Sequence, residues 1–416
     1  MKILFVSNFF PPNAIGGYER LCERVAVNLS SSHDVIILTS DFGSATADGG
    51  GFKIYRELRL LTDYSDIYKP FKVSKIKRAT LNSQNIETLR NIIALEKPDI
   101  VFVWNLKYFD NTFLLALEKL KRKVVYFLTD SWLVEFLNPQ FLRRYSIDLM
   151  SNARGPISLL KIWAKKAILS LFKRNDPFHL QSAAIFASNF IRDLHTNAGI
   201  TFAKSAIIHN GIALNGLIDR NIKRMGEVSS GKIKLLFAGR VVHIKGVHIL
   251  VDALHLLITK HGIRNVELTI IGDHHDDEYE RLLSRQINSL KIADRITFKD
   301  FIGENDLFDE FQKYDIYIFP SLYEPFSLTL IHALAAGIPT IASNAGGNPE
   351  IIIDGTTGLL YEKYSSTELA MKIKFLLDNP GLKKAISENG RQKAQEFGFD
   401  EMCSKIRNYI EINYAN

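Results

Sequence analysis

The stretch that most constrains the fold of this chain is residues 316–358, where strand and helix patterns alternate closely. Residues 316–319, IYIF, form a short apolar run that Pro320 ends, which is typical of a strand buried on both faces of a sheet. Ser327 then stands where a helix N-cap belongs, and residues 328–336 continue as a helical pattern until a Gly-x-Pro turn. A further strand and a glycine loop follow. This order predicts one unit of an α/β fold.

The loop before that helix has the features of an anion-binding site. A helix N-terminus presents backbone N–H groups without acceptors and the positive end of the helix dipole, so an anion binds there favourably. Glu324 is the carboxylate of this loop, and it can accept hydrogen bonds from hydroxyl groups beside the anion. A sugar phosphate requires a binding site of this kind, with an anion site next to a group that accepts hydrogen bonds from hydroxyls.

Short apolar runs alternate with longer helical segments along the rest of the chain. The chain has 416 residues, more than one hydrophobic core usually supports, so two domains are expected. Repeated strand and helix units predict doubly wound parallel sheets, which bind ligands at the carboxyl ends of their strands. The predicted strands cover residues 3–6, 35–39, 100–103, 124–128, 183–187, 233–237 and 268–271.

Two cations follow the predicted strand at residues 233–237. Gly239 and Arg240 come almost directly after it, and Lys245 lies further along the same loop. A diphosphate carries about two charges that must be paired when it leaves water, and a guanidinium and an ammonium group can pair them. The alternative is that Arg240 and Lys245 are two solvated surface cations.

Paired glycines, Gly16 and Gly17, lie between the first strand and a predicted helix over residues 18–29. Glycine allows a backbone to approach a ligand closely, with N–H groups directed at it. The alternative is a plain tight turn.

Several other kinds of site are disfavoured. His274 and His275 are adjacent, so their side chains point apart, and neither a third spaced ligand nor an Asp-x-Asp pair accompanies them. We therefore expect no metal. Cys22 and Cys403, the two cysteines, indicate a reducing compartment. No Gly-x-Gly-x-x-Gly follows a first strand, no apolar window could span a membrane, and the N-terminus is expected to be a strand rather than a signal peptide.

Taken together, these residues resemble the donor-site signature of the retaining family 4 glycosyltransferases, enzymes of the two-Rossmann GT-B fold. The family pattern is Glu, seven residues, a second Glu, a small-residue helix with Gly-x-Pro, and then Gly-Gly-x-x-Glu. Glu324 matches the first Glu, and Gly346, Gly347 and Glu350 match the last element. His332 takes the place of the second Glu. The loop from Gly239 to Lys245 also resembles a family element.

The resemblance implies an α/β fold of the GT-B type, with two Rossmann-like doubly wound domains facing each other across a cleft. The N-terminal, acceptor-side domain would cover residues 1–206, and the nucleotide-sugar-binding domain would cover residues 207–396. The final helix, within residues 397–416, would pack back on the N-terminal domain. The segment from about residue 207 to residue 231 contains Asn210 and Gly211, which resemble the turn at the family's domain crossover, and this segment is expected to form the hinge.

The resemblance also implies a retaining, metal-independent glycosyltransferase without a cofactor. Its donor would be a nucleotide-diphosphate sugar, with UDP or GDP, and its acceptor a hydroxyl of a lipid-linked or polysaccharide glycan. Arg240 and Lys245 would neutralise the leaving diphosphate and Glu324 would orient the sugar. Same-face attack guided by the leaving phosphate would need no protein nucleophile. The implied donor-binding residues are Gly16, Gly17, Gly239, Arg240, Lys245, Glu324, Phe326, Ser327, Leu328, Thr329 and His332.

His332 is the clearest departure from the family pattern. A carboxylate at this position in the family accepts hydrogen bonds from two ribose hydroxyls, whereas a neutral imidazole has one acceptor nitrogen. We expect this exchange to weaken nucleotide binding unless another residue compensates. The alternative is that His332 simply packs on its helix. Two other functions remain open, a nucleotide-sugar epimerase of the same fold and a catalytically degenerate binding partner.

Acceptor contacts are expected where two strands of the first sheet end. The residues that follow these strands are Trp104, Asn105, Thr129, Asp130 and Trp132. We predict a catalytic role for Asp130 in this group. The alternative is that Asp130 only caps the helix that follows.

Residues 141–174 are strongly basic, with Asp148 as their one acid. Apolar residues recur on one helical face from residue 157 to residue 171, and such a segment can lie on an anionic membrane surface. An ordinary core helix with a basic rim is the alternative. Nucleic acid is not expected as a partner, because no recognisable binding motif accompanies the charge. We expect a cytoplasmic protein, either free or peripheral on the inner face of the membrane.

Overall fold

The computed structural model describes most of the chain and divides it into two compact units. The described residues are 1–13, 16–43, 51–65, 67, 74–120, 123–150, 177–214, 216–217, 231–273 and 276–414. The first unit runs from Met1 to Tyr145, continues in a segment that ends at Ile208, and includes Cys403–Asn416; the second contains His209–Met402. The sequence had placed the division between residues 206 and 207.

The first unit is built on a parallel sheet. Among the described residues the sheet has seven strands. Ile3 to Val6 in the first strand and Ile100 to Trp104 in its neighbour are fully buried, as expected for a parallel sheet covered on both faces. In spatial order the strands are β3 (Lys53–Leu58), β2 (Asp34–Ser40), β1 (Lys2–Ser7), β4 (Ile100–Asn105), β5 (Lys123–Leu128), β6 (Phe178–Phe186) and β7 (Ile200–Ile207).

The helices of the first unit begin where the sequence supplies caps. The side chains of Ser74, Asp110 and Ser188 each accept a hydrogen bond from a backbone N–H in the first turn of the helix that follows. The helices are α1 (Gly17–Ser30), α2 (Lys75–Glu96), α3 (Asn111–Glu118), α4 (Trp132–Leu137), α5 (Pro139–Met150) and α6 (Asn189–Asn197).

The second unit repeats this architecture with a parallel sheet of six described strands. In spatial order they are β10 (Ile296–Lys299), β9 (Val266–Ile271), β8 (Ile233–Ala238), β11 (Ile316–Phe319), β12 (Thr340–Ser343) and β13 (Leu359–Tyr361). The helices are α7 (Val247–Thr259), α8 (Asp277–Leu290), α9 (Glu304–Phe311), α10 (Leu328–Ala335), α11 (Asn348–Ile351), α12 (Ser366–Asp378) and α13 (Pro380–Ala394).

Strands β8 and β11 are hydrogen-bonded neighbours in the second sheet, with Ile316 opposite Leu235 and Tyr317 opposite Leu236. Because the two strands are parallel, the loops that follow them leave from the same edge of the sheet. The loop that carries Arg240 and the loop that carries Glu324 are therefore adjacent.

The last helix, α14 (Phe399–Tyr414), belongs to the first unit from Cys403 onwards. The Arg407 guanidinium donates to the Asn28 side chain at 2.8 Å, and Lys204 donates to Asn413 at 3.1 Å. This part of the helix packs on the N-terminal unit.

The doubly wound parallel sheets expected from the sequence are confirmed, and the strands that the sequence analysis missed are the outer ones. β3, β7, β10 and β13 are the end strands of the two sheets. Three of the four, β3, β7 and β10, are largely exposed or half-buried, so they lack the continuous apolar run that marks a central strand. Within the described ranges, no helix is both long and apolar enough to cross a membrane. Of the predicted membrane-binding residues 141–174, residues 141–150 belong to α5, and residues 151–174 lie outside the described residues.

Candidate functional site

The loop after β8 is fixed against the loop after β11 by close backbone contacts. The Leu322 N–H donates to the Ile244 carbonyl at 2.7 Å. Gly246 has a φ of +69°, and a Cβ there would lie 2.0 Å from the Pro320 carbonyl oxygen. Only glycine fits this approach, since any side chain would meet backbone. The contact brings the segment ending at Lys245 next to Glu324.

Lys245 and Glu324 form an ion pair between the Lys245 Nζ and the Glu324 Oε2. Their side chains are 15% and 10% exposed, so the pair is largely removed from water. The Lys245 Nζ also lies 5.4 Å from the ring centre of Phe319, a cation–π distance. The structure thus brings together the predicted diphosphate-binding cation and the predicted sugar-orienting carboxylate.

The N-terminus of α10 is capped as the sequence predicts. The Ser327 hydroxyl accepts a hydrogen bond from the Leu330 N–H at 3.1 Å. The N–H groups of Leu328 and Thr329 precede the helical hydrogen-bond ladder, and no acceptor among the described residues binds them. Both residues are half-buried, so these two donors are available to an anion.

The glycine loop after β12 supports the loop of Glu324 from the other side. The Gly347 N–H donates to the Glu324 carbonyl at 2.8 Å. Gly346 has a φ of +60°, and a Cβ at that position would lie 2.0 Å from the same carbonyl oxygen. The Gly-Gly element therefore positions the backbone of Glu324.

Arg240 is exposed and makes no ion pair within the described part of the chain. It follows Gly239 at the end of β8, where the Val241 N–H donates to the Asp273 carbonyl at 3.0 Å. Of the two predicted diphosphate-binding cations, Arg240 is the available one, because Lys245 is already paired with Glu324.

Phe326 is 5% exposed and belongs to an aromatic cluster rather than to an open surface. Its ring stacks on His209 with centres 4.8 Å apart and planes 8° apart, and it meets Phe397 edge to face at 5.6 Å. The His209 Nε2 lies 3.1 Å from the Glu350 Oε2. The sequence analysis missed His209, although its place directly before the Asn210-Gly211 turn was a signal.

His332 is buried on α10, and its Nε2 lies 3.2 Å from the Oε1 of Glu304, the first residue of α9. The sequence analysis missed Glu304. A carboxylate therefore does stand beside the position where the family pattern has its second Glu, but a different helix supplies it.

The remaining predicted site residues lie in the first unit. The Gly16 N–H donates to the Glu19 Oε2 at 2.9 Å, so this donor is engaged in capping α1. Gly17 is the first residue of α1, and no heavy atom lies within 4 Å of where its Cβ would be. Both glycines are exposed.

Asp130 follows β5, and its Oδ1 accepts a hydrogen bond from the Trp132 N–H at 2.9 Å at the start of α4. Burial raises the pKa of the Asp130 carboxyl, while the Trp132 hydrogen bond and the Lys107 charge oppose this. Trp104 and Trp132 are 0% and 2% exposed, so both indoles are core side chains. In this group Asp130 is half-buried and Thr129 almost fully buried at the strand end.

The described residues contain no group of three His, Cys, Asp or Glu side chains that could hold a metal ion. His274 and His275 lie outside the described residues.

Two family models match the chain in succession. The model described as Glycosyltransferase Family 4 matches residues 15–215, and the model described as Glycosyl transferases group 1 matches residues 219–393. Among curated relatives, the D-inositol 3-phosphate glycosyltransferase of Arthrobacter sp. (strain FB24) is 31% identical over 180 residues, which is 42% of either chain. The chain spans about half the length of the curated relatives it matches.

Solved structures match over the whole length. Sucrose-phosphate synthase from Thermosynechococcus elongatus has a TM-score of 0.71 at 18% identity and covers 100% of both chains. HepE of Anabaena, described in complex with UDP and glucose, has a TM-score of 0.67 at 20% identity and covers 99% of both chains. At this identity the likeness shows the fold, and it confirms the expected GT-B Rossmann-like architecture.

Proposed function

Because this chain belongs to the glycosyltransferases of group 1 and family 4, we propose that it transfers a sugar from a nucleoside-diphosphate donor to a hydroxyl acceptor, with retention of anomeric configuration. The observation that carries the proposal is the contact of Lys245 with Glu324 beside the open N–H groups of Leu328 and Thr329. Within one pair of adjacent loops, this arrangement offers a cation, two oriented N–H groups and a carboxylate that can accept hydrogen bonds from sugar hydroxyls.

In the proposed reaction the bond between the sugar C1 and the β-phosphate oxygen breaks while the acceptor oxygen bonds to C1 on the same face. The acceptor proton passes to the departing phosphate oxygen. Negative charge grows on the diphosphate, and Arg240, Lys245 and the N–H groups of α10 stabilise it without a metal. Glu324 accepts hydrogen bonds from the transferred sugar and holds C1 in position for attack on that face.

Asp130 is proposed to contact the acceptor, since it stands at the carboxyl end of β5, where parallel sheets bind ligands. The acceptor is proposed to be a hydroxyl of a lipid-linked or polysaccharide glycan. The basic residues 141–174 would hold the protein to an anionic membrane surface that carries such acceptors.

UDP and GDP sugars are the proposed donors. HepE, which shares the fold, is described with UDP and glucose, so UDP-glucose is the first donor to test. A thermal-shift screen over UDP, GDP, ADP and their sugars identifies the nucleotide, because a ligand that binds the folded state stabilises it by RT ln(1 + [L]/Kd).

The decisive experiment compares Arg240→Ala with Arg285→Ala, a variant that removes one exposed cation from α8 in the same unit. Arg240→Ala should lower kcat/KM for the donor, with a loss of about 2 to 4 kcal/mol in transition-state stabilisation, because phosphate charge is left unpaired. Arg285→Ala should retain wild-type kinetics. Equal activity of both variants would disprove the diphosphate assignment.

Incubation with donor alone separates this proposal from its two rivals. A transferase leaves the donor sugar unchanged or hydrolyses it slowly, whereas an epimerase converts it to an isomer. A binding partner without catalytic activity would bind the nucleotide sugar and release no nucleotide with any acceptor offered.

A further inference from the structure

Glu304 and His332 form a contact that the proposed reaction has not used. The His332 Nε2 lies 3.2 Å from the Glu304 Oε1, and the two side chains are 5% and 42% exposed, respectively. The imidazole is thus enclosed, and the carboxylate is the part of the pair that meets solvent. A hydrogen bond from the imidazole would hold the carboxylate in one orientation.

The pair stands close to the proposed phosphate site. Leu328 and Thr329, whose N–H groups are open, precede His332 by four and three positions, so they share a face of α10. One helical turn corresponds to about 5.4 Å along the axis. This is the scale of a ribose attached to a phosphate bound at the helix N-terminus.

We propose that Glu304, oriented by His332, accepts hydrogen bonds from the ribose hydroxyls of the donor nucleotide and makes the site selective for ribonucleotides. This inference rests on the proposed function, since it assumes a nucleoside diphosphate on α10. A carboxylate has about four acceptor positions on two oxygens, so it can accept hydrogen bonds from a vicinal diol while it keeps partners within the protein. Hydrogen bonds to a charged acceptor are the stronger kind, which makes the carboxylate a better ribose ligand than the imidazole.

The first measurement is the ratio of the Kd values for UDP and 2′-deoxy-UDP by titration calorimetry, repeated with the GDP pair. The wild-type protein should bind the ribonucleotide at least about tenfold more tightly, as expected for a charge-assisted hydrogen bond. A ratio near one in the wild-type protein overturns the inference, and this result needs no variant.

Glu304→Gln should reduce the ratio to about threefold or less, since the charge is removed and the shape is kept. Asp306→Asn is the matched control, because Asp306 is an exposed acid in the first turn of the same helix. The control should keep the wild-type ratio. An unchanged ratio in Glu304→Gln, with wild-type thermal stability, overturns the proposal.

A relocated carboxylate provides a gain-of-function test. His332→Glu alone should not improve binding, because two carboxylates would stand side by side and one would have to take up a proton. The double variant Glu304→Gln/His332→Glu has one carboxylate, on α10. Its preference for the ribonucleotide over the 2′-deoxynucleotide should be larger than that of Glu304→Gln alone. No rise in a folded double variant counts against a ribose contact at this place.

Failure of this inference is distinguishable from failure of the proposed function. If the wild-type protein binds no nucleotide, or if Arg240→Ala binds UDP and GDP as the wild type does, the proposed diphosphate site is wrong and the ribose contact falls with it. If Arg240→Ala weakens binding of both the ribo and the deoxy forms while Glu304→Gln keeps the wild-type ratio, only the ribose contact is wrong.

Discussion

The Lys245 ammonium and the Glu324 carboxylate are ion-paired, and both side chains are largely buried. The Glu324 carboxylate pairs with the same cation that a donor diphosphate would need. On the proposed function, donor binding would exchange one anionic partner of Lys245 for another and would free Glu324 to meet the sugar. A buried cation is costly when unpaired, so the exchange keeps it compensated in both states.

Glu324→Gln should separate binding from catalysis. The variant leaves Lys245 without its anionic partner, which should lower the stability of the free protein by up to about 3 kcal/mol. A nucleoside diphosphate then restores the lost pairing, so the rise in Tm on adding UDP or GDP should exceed that of the wild type. The kcat for transfer should fall, because the sugar loses a charged acceptor. A smaller Tm rise than in the wild type would show that Glu324 and the nucleotide do not compete for Lys245.

Gly346→Ala tests whether the glycine loop positions Glu324. The new Cβ would lie 2.0 Å from the Glu324 carbonyl oxygen, so that loop must shift. Gly355→Ala is the matched control, because Gly355 has a φ of +72° but no heavy atom within 4 Å of its Cβ position. Both variants carry the backbone cost of about 1 to 2 kcal/mol for a left-handed residue. Only Gly346→Ala should also lower kcat/KM for the donor, measured at a saturating concentration of the acceptor substrate. Similar kinetics in both would mean that the loop does not support the site.

Asp130 has two separable roles that a pair of substitutions can distinguish. Asp130→Asn keeps an oxygen to accept the Trp132 N–H, so thermal stability should be nearly unchanged. Asp130→Ala removes that acceptor and should cost about 1 kcal/mol. If the carboxyl contacts the acceptor substrate, Asp130→Asn should lower kcat for sugar transfer at least about tenfold. Full activity of Asp130→Asn would leave Asp130 with the helix-capping role alone.

His195 should make the first unit less stable in mild acid. The ring is fully buried on α6, with its Nδ1 2.7 Å from the Ile191 carbonyl oxygen, and burial lowers its pKa to about 4. The unfolded chain takes up a proton near pH 6.5 and the folded chain does not. The contribution of the neutral His195 ring to the free energy of unfolding is therefore complete above about pH 6.5. It falls by on the order of 3 kcal/mol as the pH drops towards 4.

Denaturant unfolding at pH 7, 5.5 and 4.5 checks this prediction. His195→Asn places an amide N–H at the level of the His195 Nδ1 and does not titrate, so its free energy of unfolding should change less with pH than that of the wild type. His179→Asn is the control, because His179 is exposed on β6. A pH dependence that is the same in all three proteins would exclude His195 as the cause.

The sequence by itself determined the features that depend on neighbouring residues. The central strands are continuous apolar runs, and the cap of α10 is a contact between Ser327 and Leu330, three positions apart. Local hydrogen bonds and side-chain periodicity decide these elements, so the order of strands and helices and the anion-binding helix end could be predicted. The residues Arg240, Lys245 and Glu324 were also identified, because each lies in a loop that follows a recognisable strand.

Only the tertiary structure decided which of these residues meet. Lys245 and Glu324 are 79 positions apart, His332 and Glu304 are 28 apart, and His209 and Glu350 are 141 apart. These contacts exist because β8 and β11 are sheet neighbours and because α9 packs beside α10, and no local pattern encodes such pairings. For the same reason the outer strands escaped the sequence analysis: their place at the sheet edge is fixed by their partners, and most of their residues do not need to be apolar.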